Sequence, residues 1–153
     1  KTVSKDSSCL VILDQITDPH NIGAIIRSAA AFSADAIILT EHNSPSENQT
    51  IIKSAAGACE SIPLVKVTNL ASCMKTLQKE GYWIIGLDGH TEIELDHSIF
   101  SNKIVLVLGS EDKGMRNLTK KNCDYIAKIK ISKNLESLNV SNAAAIVLSE
   151  IFR

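Results

Sequence analysis

No apolar run in this 153-residue chain approaches the ~20 residues that cross a bilayer; stretches such as IVLVL at Ile104–Leu108 are far shorter. Net charge is equally absent. Sixteen Lys and Arg stand against seventeen Asp and Glu, a formal charge of −1. That excludes holding nucleic acid by bulk charge and leaves room for a local basic site. The aromatics are only Phe32, Phe100, Phe152, Tyr82, Tyr125 and Trp83, too few for the stacking platform of single-strand binders. Cys9, Cys59, Cys73 and Cys123 form no C-x-x-C pair, and His20, His42, His90 and His97 sit at no metal-ligand spacing from them. No metal site is expected. The cysteines read as small packed hydrophobes, which fits a reducing cytoplasm. No G-x-G-x-x-G or P-loop fingerprint occurs, which disfavours a generic nucleotide-binding domain.

What is present alternates between short apolar runs and helical periodicity. Cys9–Leu13 reads as a buried strand. Ile22, Ile25, Ile26, Ala29 and Ala30 then share one helical face. Ala36–Leu39 is a second strand, Ser46–Ala56 a helix, and Leu64–Val67 a third strand. Thr68 or Asn69 caps a helix running to Glu80 and stopped by Gly81. Tyr82–Leu87 and Ile104–Leu108 are strands, with Trp83 assigned to the core, and the polar Gly89–Asn102 stretch is a loop or excursion. A short helix over Arg116–Asn122, a strand over Tyr125–Ile131 and a helix over Val140–Phe152 complete the chain. Strands alternating with helices predict one α/β domain over residues 1–153, with a mostly parallel sheet flanked by helices. The last helix is apolar on most sides, so it is expected to lie deep in the monomer or against a second subunit. The chain opens without Met in a polar stretch, which gives the expectation of a missing N-terminal part.

Three blocks carry residues suited to chemistry. DPHNIGAIIRSA, Asp18 to Ala29, lies where a strand gives way to a helix, and ligands of open α/β sheets collect there. Arg27 falls off the apolar face of that helix. Asn21 is either a helix cap or a site residue, and His20 reads as structural. LGSEDKGM, Leu108 to Met115, follows a strand directly and places Glu111 and Lys113 between two glycines. KISKNLESLNVSNAA, Lys130 to Ala144, sets Ser137, Asn139, Ser141 and Asn142 at the start of the final helix. Ser137 or Asn139 is expected to cap that helix.

In order and spacing these blocks resemble the SpoU/TrmH family of RNA ribose 2′-O-methyltransferases of the SPOUT superfamily. Asn21, Gly23 and Arg27 match its N-x-G-x-x-x-R motif. Gly109, Ser110, Glu111, Gly114 and Met115 match G-[SA]-E-x-x-G-[ML]. Ser137, Leu138, Asn139, Val140 and Ser141 match S-L-N-V-[SA]. The segment Lys53 to Leu64 also resembles the family's stretch between the first two blocks. One departure is clear: the family's usual I-P-M is replaced here by Ile129-Lys130-Ile131. Losing proline frees φ and adds a backbone donor in that loop.

The resemblance implies a C-terminal trefoil knot, a homodimer with the final helix in its interface, and S-adenosylmethionine held through Gly109, Ile129 and Leu138. It implies methyl transfer to a ribose 2′-hydroxyl of structured RNA, with Arg27 as the catalytic residue. A guanidinium resists deprotonation, so Arg27 suits an electrostatic clamp better than a base, with water taking the proton. Asn21 would orient Arg27 or the ribose, and Glu111, Ser137 and Asn139 would hold the hydrogen-bond network. Lys113 and Arg116 join Arg27 as candidate RNA contacts. DPHNIGA and AGACESIPL look most like the members that modify guanosine in 23S ribosomal RNA, which usually carry an N-terminal RNA-binding domain. A transfer-RNA enzyme and a non-catalytic RNA-binding relative are the alternatives.

Overall fold

The computed structural model describes residues 6–40, 57 and 60–153. The helix expected over Ser46–Ala56, together with Lys53 and Cys59, lies outside the described residues. Six strands, β1 (Ser8–Asp14), β2 (Ala36–Thr40), β3 (Leu64–Val67), β4 (Trp83–Leu87), β5 (Lys103–Gly109) and β6 (Tyr125–Ala127), form one sheet in the order β3-β2-β1-β5-β4-β6. Every pairing is parallel. A parallel sheet needs cover on both faces, and the alternation of the central strands supplies two cores. Val11, Leu13, Leu106 and Leu108 pack with α1 (Pro19–Ala31) and α4 (Val140–Phe152). Leu10, Ile12, Val105 and Val107 pack on the other face, against Leu70, Met74 and Leu77 of α2 (Leu70–Lys79). The short helix α3 (Asn117–Asn122) lies beside α2.

The helix ends follow local chemistry. Asp18 caps α1 by accepting from His20 N at 2.9 Å, and Pro19 opens the first turn, where its missing N–H costs nothing. Asn69, not Thr68, caps α2 through Ser72 N, and Gly81 at φ +88° follows its end. Asn139, not Ser137, caps α4 through Ser141 N.

Two expectations need correction. Trp83 is 39% exposed rather than core. β6 pairs with β4 only from Ile85 onward, so Trp83 has a strand neighbour, Ile104, on one side alone. The strand expected to reach Ile131 ends at Ala127, because Lys128 leaves the sheet to bond with Ile93 and Leu95. The stretch Gly89–Asn102 is an excursion that supplies that bridge and a 3-10 turn at His97–Ile99. Of the two alternatives for α4, burial deep within one chain does not hold, and the second-subunit alternative stands. The helix buries Val140, Ala144, Val147 and Leu148 and leaves Ile146 and Phe152 exposed.

Candidate active site

The three sequence blocks converge at the C-terminal end of the sheet. In the first, α1 buries Ile22, Gly23, Ile25, Ile26 and Ala29, and its phase leaves Arg27 exposed, with no hydrogen-bond or ionic partner among the described residues. Asn21 is not the cap. It sits half-buried in the first turn, where its Oδ1 accepts from Asn139 Nδ2 at 3.1 Å.

The second block is a closed turn. Gly114 N donates to Ser110 O at 2.8 Å and Lys113 N to Ser110 Oγ at 3.0 Å. Gly114 stands at φ +65°, the left-handed region that favours glycine. Gly109 is required for space instead: a Cβ there would lie 2.4 Å from both Gly114 C and Met115 N. The turn directs Glu111 toward α4, where its Oε1 accepts from Val140 N at 3.0 Å. That contact satisfies one of the orphan donors of the first helical turn and places a carboxylate at the positive end of the helix.

In the third block, Asn139 uses its Oδ1 for the N–H and hydroxyl of Ser141 and its Nδ2 for Asn21. Ser137 is exposed nearby, and its hydroxyl has no partner among the described residues. Ile129 is half-buried against the α1/α4 core beside Leu87 and Leu95, and Leu138 is half-buried just before α4.

Sequence reasoning missed Asp14. It ends β1, is fully buried, and accepts from both Arg116 N and Arg116 Nε at 2.8 Å. Through its Nε, Arg116 ties the second block to the first while its side chain stays 39% exposed. The following residue, Gln15, stands at φ 63° and donates from Nε2 to Gly114 O at 3.4 Å. The visible signal was an acid ending the apolar run CLVILD just before the DPHN block. With these bonds the circuit closes: Asp14 and Gln15 hold the second loop, Glu111 holds the start of α4, and Asn139 returns to Asn21.

Other chemistry is poorly served. Burial first, then Asp35, pushes the Cys9 thiol up to about 12; burial, Asp124 and Asp14 do the same to Cys123. Neither supplies a thiolate nucleophile. Among the described residues no cluster of His, Cys, Asp and Glu suits a metal, and no helix is long and apolar enough to cross a membrane.

The sequence model described as the SpoU rRNA Methylase family matches residues 8–149. The 23S rRNA (guanosine-2′-O-)-methyltransferase RlmB of Escherichia coli (strain K12) is 45% identical over 150 residues, covering 98% of this chain and 62% of that protein. RlmB of Xanthomonas campestris pv. campestris is 44% identical over 144 residues, covering 94% of the chain and 58% of the relative. The chain therefore spans about three fifths of the length of these relatives. Among solved structures, the SpoU methyltransferase AviRb from Streptomyces viridochromogenes, in complex with AdoMet, superposes with a TM-score of 0.85 at 29% identity. That match covers 97% of this chain and 58% of AviRb.

Proposed function

The chain belongs to the SpoU rRNA methylase family, and on that premise we propose that it methylates a ribose 2′-hydroxyl of RNA, using S-adenosylmethionine, with a guanosine of 23S ribosomal RNA as target. The observation that carries this reading is the closed circuit Asp14–Arg116, Glu111–Val140, Asn139–Asn21. It brings together residues up to 118 positions apart, and the helix that carries Asn21 also carries the exposed Arg27.

The residues fit the methyl donor. Leu87, Leu95 and Ile129 are half-buried apolar side chains packed against the α1/α4 core, and Leu138, also half-buried, stands just before α4. The turn after Gly109 and the chain before α4 carry backbone groups outside the sheet ladders. Gly109, Ile129 and Leu138 would hold the adenosyl group there, in keeping with a pocket that is apolar with a few placed polar groups. When bound, S-adenosylmethionine supplies an electrophilic methyl group on a sulfonium.

The chain's own residues do the rest by alignment. Arg27 clamps the RNA phosphate or the alkoxide that develops at the 2′-oxygen, and water takes the proton. Asn21 and Asn139 fix one another and so define where the ribose sits, with Ser137 as the free hydroxyl beside them. Glu111 holds the start of α4 in place. Lys113 adds a phosphate contact, while Arg116 acts through its hold on Asp14.

Two finer readings accompany this one. We propose that residues 128–139 thread a trefoil knot, supported by the ties at their two ends: Lys128 bonds to Ile93 and Leu95, and Val140, where they join α4, bonds to Glu111. A second copy of the chain covers the exposed α4 face, giving a cytoplasmic homodimer, a reading supported by the exposure of Ile146 and Phe152.

The direct experiment is mapping of ribose 2′-O-methyl sites in ribosomal RNA from cells lacking the protein. Loss of one 23S guanosine methylation, restored by the purified protein with S-adenosylmethionine, is the expected result. An unchanged map, with no heat of S-adenosylmethionine binding by calorimetry, would leave an inert relative.

A further inference from the structure

In the order β3-β2-β1-β5-β4-β6 the connections diverge between β1 and β5. The chain leaves β1 toward β2 and leaves β5 toward β6, so a crevice opens above their C-terminal ends. Such a switch point is where open α/β sheets take ligands. A cleft of about 260 Å³ lies there, lined by Gln15 and Thr17 from behind β1 and by Ser110, Asp112 and Lys113 from behind β5. It is smaller than the roughly 300–1,000 Å³ of pockets for drug-sized ligands, a scale that suits a single nucleobase.

Every lining side chain is polar, and their commitments differ. Ser110 Oγ already accepts from Lys113 N. Gln15 stands at φ 63°, a left-handed conformation that a non-glycine residue adopts at a cost and that clusters at functional sites. Its Nε2 is spent on Gly114 O at 3.4 Å, which leaves its Oε1 as an acceptor. Asp112 is exposed, with no partner among the described residues. The cleft is therefore rich in unused acceptors, flanked by the Thr17 hydroxyl and the Lys113 ammonium.

We propose that this cleft receives the nucleobase of the nucleotide being methylated, and that Asp112 with Gln15 reads it as guanine. Guanine presents N1–H and N2–H side by side, a pair that one carboxylate accepts in parallel. Adenine offers an acceptor at that edge, uracil a single N–H between two acceptors, and cytosine a single donor group. Enzymes acting on nucleotides commonly seat the base apart from its stack and read its pairing edge. Glu111 stands between Ser110 and Asp112 in the loop behind β5, and Asn21 lies in the first turn of the helix that follows the loop behind β1. A base seated against Asp112 thus leaves its ribose toward the Asn21–Asn139 pair. Lys113 lies where it meets guanine O6 or the adjoining phosphate.

This inference rests on the methyl-transfer reading above, and the test separates the two. The full chain, with S-adenosylmethionine, is given a 23S ribosomal RNA fragment carrying guanosine, inosine or adenosine at the position that wild type methylates. Wild type should favour guanosine over inosine, which lacks only the N2 amino group, by about tenfold or more in kcat/KM. Asp112→Ala should lose most of that preference at an unchanged melting temperature, since the residue is exposed. Asp112→Glu should recover part of it, and Gln15→Leu should weaken it. An undiminished guanosine-to-inosine ratio in Asp112→Ala, or no preference in wild type, would overturn the proposal. So would a loss confined to Lys113→Ala and equal on all three RNAs, which marks a phosphate site. Failure of wild type to methylate any of the RNAs would overturn the methyl-transfer reading itself, and this inference with it.

Discussion

Arg27 is the residue on which the proposed mechanism turns, and its environment makes it easy to test. It is exposed on α1 and contributes no described contact to the fold. Arg27→Ala should therefore change stability by no more than about 0.5 kcal/mol, leave S-adenosylmethionine affinity nearly unchanged and abolish methyl transfer. Calorimetry and a turnover assay on one preparation check all three, and a folded variant with most of its turnover removes Arg27 from the mechanism. Gly109 is the converse case, a residue that matters through what it lacks. Gly109→Ala would force a methyl group to 2.4 Å from two backbone atoms of its own turn, at an expected cost of about 1–3 kcal/mol and with loss of cofactor binding. Both residues were legible in the sequence, because the motif fixes their type and spacing. Asp14 was not. A buried acid looks like any polar strand end until the partner 102 residues away is in view.

At the scale of elements, most of what the sequence suggested holds, and its failures share a cause. Periodicity located α1, α2, α4 and the four central strands, since each shows its own apolar face or run. It did not foresee that Lys128 leaves β4 for residues 93–95, or that β6 stops short of Trp83, because pairing partners leave no local trace. The Asp14–Arg116 pair binds β1 to the second loop, and its two ends are not equivalent. Asp14 is wholly buried, whereas the Arg116 side chain is 39% exposed. Arg116→Ala leaves the buried carboxylate with the backbone N–H of residue 116 but without its counter-charge, and should cost about 3 kcal/mol or more. Asp14→Asn leaves a guanidinium that water reaches and should cost less, about 1–3 kcal/mol. Urea denaturation midpoints check the order, and the reverse order would mean that the carboxylate is not what the pair protects.

A second tie, between β4 and α3, predicts a pH effect. Burial alone raises the Asp88 carboxyl, but the Lys120 hydrogen bond at 2.7 Å, the His90 N–H and the nearby positive charge outweigh it and hold the group below its ordinary 3.8. A depressed carboxylate stabilises the fold above its unfolded value and loses that contribution as pH falls through the folded one. Asp88→Asn should therefore flatten the acid limb of the stability curve below pH 3.8, measured as melting temperature against pH. A limb unchanged by the substitution would assign the acid sensitivity elsewhere.

For the whole molecule the open question is what covers α4. Its inner stripe packs on α1, while Ile146 is 42% and Phe152 59% exposed, and Phe152 lies 6.3 Å from Phe32 between ring centres. Two large apolar side chains on the outer side of a helix whose small residues Ala143 and Ala145 permit close approach suit a second helix of the same kind. In a two-fold interface any residue near the axis meets its own copy or the patch beside it, so one substitution acts twice. Ile146→Glu would place two carboxylates in a desolvated contact, where neither finds a partner and like charges repel. The wild-type chain is expected to sediment as a dimer at micromolar concentration, and Ile146→Glu as a monomer. Because Ile146 contributes little to the monomer core, circular dichroism of the variant should remain that of the folded chain. A variant that stays dimeric would move the interface away from α4. A wild type that is monomeric at every concentration would overturn the dimer.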